Sequence, residues 1–179
     1  MNSSSQTMTS PGAVLTSAAT QTQLKSYLLA GIWAGQVAGL IMAVVMMVVF
    51  TILGRGPLYP VQVIGSAVFG EAALNGIHWG AVGAGLLLHQ LGPSLLWGIV
   101  YGLLAYAFRL RGMGPALGLG LALSVFSMVV PYFLIPALMN ALHGVDYWNR
   151  EVPMFWDWAA HLVFGASLGL FPRFLKNRP

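Results

Sequence analysis

YLLAGIWAGQVAGLIMAVVMMVVFTIL, residues 27–53, decides the fold. It carries no charge. A bilayer core about 30 Å thick needs ~20 apolar residues at 1.5 Å each, so this segment is long enough to cross and to tilt. Gly31, Gly35 and Gly39 recur every fourth residue. That spacing makes a smooth groove on one helical face, where another helix can approach closely. Gln36 is its only strongly polar side chain, and its expected role is a hydrogen bond between helices. Arg55-Gly56-Pro57 ends the segment.

The rest of the chain has the same character. Of 179 residues, 58% are hydrophobic and 7% charged, against about 25% charged in a soluble domain. Most side chains must therefore face lipid or one another, and one membrane domain is the natural count. With no cysteine, disulfides, iron–sulfur clusters, thiolate metal sites and covalent c-type haem are all excluded. Eight Lys and Arg outnumber four Asp and Glu, but they are scattered at helix ends. There is no basic stripe with an aromatic platform, so nucleic acid is not an expected partner.

Working outward, residues 1–25 are rich in Ser, Thr and Gln and lack acids, which predicts a flexible polar tail before a four-helix transmembrane domain over 26–179. Residues 60–79 are interrupted; Val61, Ile64 and Val68 share a helical face, which predicts a short interfacial helix on the outer surface. Spans are expected over 27–53, 82–108, 113–139 and 155–172. Pro93, after Gly92, should kink or break the second, and Pro131 and Pro136 the third. Gly98 and Gly102, and Gly165 and Gly169, repeat the four-residue spacing. The fold class expected is therefore all-α, a polytopic bundle of four transmembrane helices.

Four spans put both ends of the chain on one side. Lys25, Arg109, Arg111, Arg173, Lys176 and Arg178 then share that side, against Arg55 and Arg150 on the other. The positive-inside rule makes the first side cytoplasmic. All four acids, Glu71, Asp146, Glu151 and Asp157, fall on the opposite side, and all four His fall there or in the outer half of a span.

Candidate chemistry concentrates in residues 140–161, NALHGVDYWNREVPMFWDWAAH. Asp157 and His161 are four apart on one helical face, within reach of each other or of one metal ion. An acid in a first helical turn is also favoured by the helix dipole alone. His89 and His161 are candidate axial ligands for a haem b, since two facing helices can supply two imidazoles. Depth opposes that pairing: His89 lies 20 residues from Arg109, about 30 Å, and His161 12 from Arg173, about 18 Å. A closed zinc site would draw on His143, Asp146, Glu151, Asp157 and His161, with no HExxH or paired-ligand pattern to support it. Trp148, Trp156 and Trp158 fit an aromatic belt, and alternatively a ligand pocket or a docking face. With Gly31, Gly35 and Gly39 they are the candidate partner contacts. Ser124 and Ser127, like Gln36, are expected to link helices. No nucleophile turn, phosphate loop or buried transport charge occurs in the sequence.

The layout resembles the YagU-like group of small bacterial inner-membrane proteins. The resemblance rests on the Gly-rich first helix, on His89 ahead of Gly98, Tyr101 and Gly102, and on Asp157, Trp158 and His161-Leu162-Val163 after an aromatic loop. It implies a four-helix inner-membrane protein and singles out His89 and His161.

By elimination, the expected function is a non-catalytic accessory subunit of a larger membrane complex, plausibly energy-transducing, with no cofactor, and with the bilayer and other subunits as partners. The alternatives are a His-ligated metal or haem b redox protein using His89, His161 and Asp157, or a small transporter or lipid-binding protein, which would need polar groups inside the bundle.

Overall fold

The structure is a computed structural model that describes residues 11–175, with side chains from Thr20 onward. Lys176 and Arg178, counted above on the cytoplasmic side, lie outside the described residues, as do residues 1–10 of the expected tail. The described residues are mostly helical, with no strand among them. Helix α1 runs Pro11–Ile52, so it begins inside the Ser/Thr/Gln-rich stretch well before Tyr27. Helix α2 is Tyr59–Phe69, α3 Trp79–His89 and α4 Leu95–Ala107. Helix α5 is Met113–Ser127, α6 Ile135–His143, α7 Tyr147–Glu151 and α8 Met154–Leu168.

Three segments are long and apolar enough to cross a membrane: Thr20–Ile52, Trp79–Ala107 and Met113–His143. The second joins α3 to α4 through a wide π-type turn at Gln90–Ser94, and the third joins α5 to α6 through another at Val130–Leu134. Pro93 and Pro131 sit in these turns. A proline cannot donate to the preceding turn and its ring crowds that turn's carbonyl, so the helix widens there and continues. Both segments thus continue through their prolines. The expected fourth span is a helix of 15 residues, α8, about 22 Å long, shorter than a hydrocarbon core.

Close packing of glycines sets the helix pairs. A Cβ added to Gly31 would lie 2.6 Å from Gly102 Cα, and one on Gly35 2.7 Å from Gly98 Cα. Contacts that descend α4 as they ascend α1 make the pair antiparallel. On α5 and α8, Gly120 meets Gly165 and Leu168 while Gly169 meets Leu117, again antiparallel. Gly65 against Ala81 and Gly85 against Val61 do the same for α2 and α3. Tyr27, Tyr101 and Phe171 fill one end of the core, with ring centroids 5.3–5.7 Å apart at Phe171. Tyr101 donates to the Ala116 carbonyl at 2.7 Å, and Tyr27 to Leu110 at 3.0 Å. A second cluster gathers Met46, Phe50, Val63, Met139, Tyr147 and Trp148 at the other end.

On helix α2, Val61 of the expected apolar face is buried and Val68 exposed, and Gln62 is buried as well. Gln62 tolerates burial because its Nε2 donates to the carbonyls of Ala73 at 2.6 Å and Gly76 at 2.7 Å.

Candidate functional site

The two wide turns face a common space. They border a cavity of about 340 Å³, floored by α1 at Met42 and by α8 at His161 and Phe164. His89, Pro93, Ser94 and Trp97 line it from the second long segment, and Ser127 and Pro131 from the third. Trp148 and Ala67 close it on the side of α7 and α2. Its rim residues Leu91, Leu134 and Leu138 are about half exposed or more, so the mouth opens through the apolar flank of the bundle.

His89 and His161 therefore share one cavity. Counting residues up straight helices from Arg109 and Arg173 set the two rings at different depths, yet both side chains line this cavity.

Both rings are fixed through the same nitrogen. His161 Nδ1 lies 2.9 Å from the Asp157 carbonyl oxygen, one helical turn back, and 3.2 Å from Asp157 Oδ1. A carbonyl only accepts, so Nδ1 carries the proton. His89 Nδ1 lies 3.1 Å from Gln90 Oε1, which also accepts from Ser94 Oγ at 3.2 Å. Gln90 Nε2 donates to Gln36 at 3.3 Å, and Gln36 Nε2 to the Gln90 carbonyl at 2.9 Å. This network assigns the amide oxygen as the acceptor and puts the His89 proton on Nδ1. Nε2 of each ring has no hydrogen-bond partner among the described residues. Trp97 Nε1–H is buried and has no acceptor among them either.

Asp157 is a supporting group. It is 2% exposed, and its Oδ2 accepts from Trp148 Nε1 at 3.3 Å. Its other oxygen faces His161 Nδ1 without a well-aligned proton. Asp157 and His161 do meet as their spacing required, but among the described residues no group of three or more His, Asp or Glu could hold a metal ion. The zinc set disperses for local reasons. Asp146 caps α7, accepting from Asn149 N at 3.1 Å; His143 Nε2 pairs with the Ala67 carbonyl at 3.1 Å; Glu151 joins an ion-pair network.

That network collects the outer charges. Arg55 Nη2 lies 3.0 Å from Glu151 Oε2, and Arg150 Nε 2.7 Å from Glu151 Oε1. Arg150 reaches Glu71 with two nitrogens, at 2.9 and 3.0 Å. Tyr59 donates to Glu151 Oε2 at 2.6 Å. Burial and this bond push the Tyr59 phenol up to about 12. Burial raises the Glu151 carboxyl, but the Tyr59 hydroxyl, Arg150 and Arg55 outweigh it and hold it below the usual range.

The candidate partner contacts take other positions. Gly31, Gly35 and Gly39 are consumed against α4 and the Gln90–Ser94 turn, so their groove is an internal joint. Trp148 is 7% exposed and bonded to Asp157, hence core rather than belt. Trp156 is half-buried against Phe155, and only Trp158, 36% exposed, reaches the surface. Gln36 does join two helices, whereas Ser124 and Ser127 donate back to Leu121 and Ser124 of their own helix. Gln90 and Trp97 went unremarked in the sequence; a Gln beside His89 in an apolar run was the available signal.

No protein-family model matches the chain, no curated protein matches it, and no solved structure matches it. The resemblance to the YagU-like group rests on its short motifs alone.

Proposed function

We propose that this is a non-catalytic inner-membrane protein that holds an apolar small molecule in the cavity between its second and third long segments, and that it works as an accessory subunit of a larger membrane complex. The observation that carries the binding reading is the cavity itself. It has the size of a ligand site, apolar walls, and a few polar groups converging on it. Its flank opening suits a ligand arriving from the bilayer.

In this reading α8 is a short fourth crossing and α2 lies toward the outer face. The antiparallel pairing of α1 with α4 and of α5 with α8 supports an up-down-up-down path. Both termini are then cytoplasmic, and the network of Arg55, Glu71, Arg150 and Glu151 marks the outer face.

Gly92 provides the test. It lines the cavity, and a Cβ there meets nothing within 4 Å. Gly92→Trp should fill the cavity and leave the fold intact. Solvent extracts of the purified wild-type protein should contain a lipophile that is depleted at least about tenfold in the variant, a ~1.4 kcal/mol loss of affinity. Identical extracts would end the binding reading. A subunit role predicts co-migration with other proteins on native gels after mild solubilisation; a lone monomer would count against it.

The shared cavity of His89 and His161 also favours a second reading, a haem b held by two imidazoles. The purified protein would then show a Soret band that His161→Ala abolishes; a colourless preparation sinks it.

A further inference from the structure

The polar groups of the cavity specify more than a greasy ligand. His89 and His161 each spend their Nδ1 proton on the chain, His89 on Gln90 Oε1 and His161 on the Asp157 carbonyl. In the neutral ring each then offers Nε2 as an unprotonated lone pair, an acceptor. The tautomers are locked by neighbours that are themselves tied down, Gln90 by Gln36 and Ser94.

We propose that the cavity is a site for a lipid-soluble dihydroxy aromatic ring, a hydroquinone-type headgroup, whose hydroxyls donate to Nε2 of His89 and His161. The inference rests on the binding reading above and names the ligand class for that site. A hydroxyl can donate, so such a ring satisfies both imidazoles. The oxidised quinone has only acceptor oxygens. It confronts the imidazoles with lone pair against lone pair. A plain acyl chain satisfies neither. The site therefore discriminates by hydrogen-bond donation, because a buried acceptor left unpaired costs more than lost apolar contact.

The test uses three probes of nearly equal shape: decylhydroquinone kept reduced under anaerobic conditions, its dimethyl ether, and decylbenzoquinone. Each is titrated calorimetrically into the full chain in detergent micelles, with protein-free micelles as the blank. The hydroquinone should bind at least tenfold more tightly than either analogue. His89→Asn and His161→Asn keep an amide N–H near the position of Nδ1 and delete Nε2. Each should reduce that preference severalfold while the ether still binds, which also shows that the variant is folded. Equal binding of all three probes overturns this inference and leaves the apolar site standing. Binding of none of them overturns both.

Discussion

The two ends of the bundle use the same helices in opposite ways. Around Tyr27, Tyr101 and Phe171 the helices meet backbone to backbone, because Gly31, Gly98, Gly102, Gly120 and Gly165 remove the Cβ atoms that would hold them apart. Around His89, Pro93, Pro131 and His161 the helices widen and part, leaving a cavity where protein interiors are normally close-packed. One end is built for stability. The other gives up packing to make room. The difference teaches that in a chain with almost no charge, glycine and proline placement decides which region is scaffold and which is site.

The largest expected effect tests the scaffold end. Gly31→Leu forces a side chain against the backbone of Gly98 and Gly102, which cannot move aside as a side-chain tip could. Overpacking of this kind costs about 3 kcal/mol or more, visible as a large fall in thermal unfolding temperature in micelles. Gly92→Trp, a larger insertion at the site end, should leave that temperature nearly unchanged. Equal losses would erase the contrast between the two ends.

Second in size is Asp157→Ala. It strands the buried Trp148 Nε1–H and removes one of the two oxygens facing His161 Nδ1. The expected loss is about 1–3 kcal/mol, the penalty of a buried donor without a partner. Trp148→Phe in the Asp157→Ala background should recover part of it, since it deletes the stranded donor. If the double variant is as unstable as the sum of the singles, the bond is not what couples them.

What the sequence disclosed follows from this division. Apolar length and glycine spacing are local signals, so the long helices and the smooth faces on the first, second and fourth segments could be read directly. What lies against a smooth face is not local. Gly31, Gly35 and Gly39 looked equally suited to a partner chain and to α4, and only packing decides for α4. The site was half legible. Asp157 and His161 meet because a four-residue spacing fixes their geometry. His89 joins them in the lining of one cavity, which a straight-helix count does not anticipate. Trp148 read as belt because tryptophan favours interfaces, yet its indole nitrogen is engaged by a buried acid nine residues on. α8 read as a full span because its composition stays apolar to Phe171, although the helix stops at Leu168.

A smaller effect belongs to the outer cap. Glu151 has its carboxyl held below the usual range, so the folded state binds its proton less readily than the unfolded chain. The stability it adds is complete above the ordinary glutamate value of about 4.3 and disappears as pH falls from there through the depressed folded value. Arg55 and Arg150 are substantially exposed, so solvent screening keeps the contribution near 1 kcal/mol or less. Glu151→Gln should lower stability slightly at pH 7 and by less as the pH falls below about 4.3. An equal loss at all these pH values would mean that packing, not charge, is what Glu151 supplies.

The smallest effect separates two glycines of one helix. On α5, Gly118 faces open space, while a Cβ on Gly120 would press on the Gly165 backbone and lie 3.2 Å from Leu168 Cβ. Alanine at 118 therefore removes only unfolded-chain freedom and should stabilise by up to about 1 kcal/mol. Alanine at 120 must push α5 from α8 and should destabilise despite the same propensity gain. The two substitutions are chemically identical and two residues apart, so an opposite sign in their thermal shifts isolates the close approach itself. The same sign would mean that α5 and α8 give way easily, and that the scaffold end is no more tightly built than the cavity end.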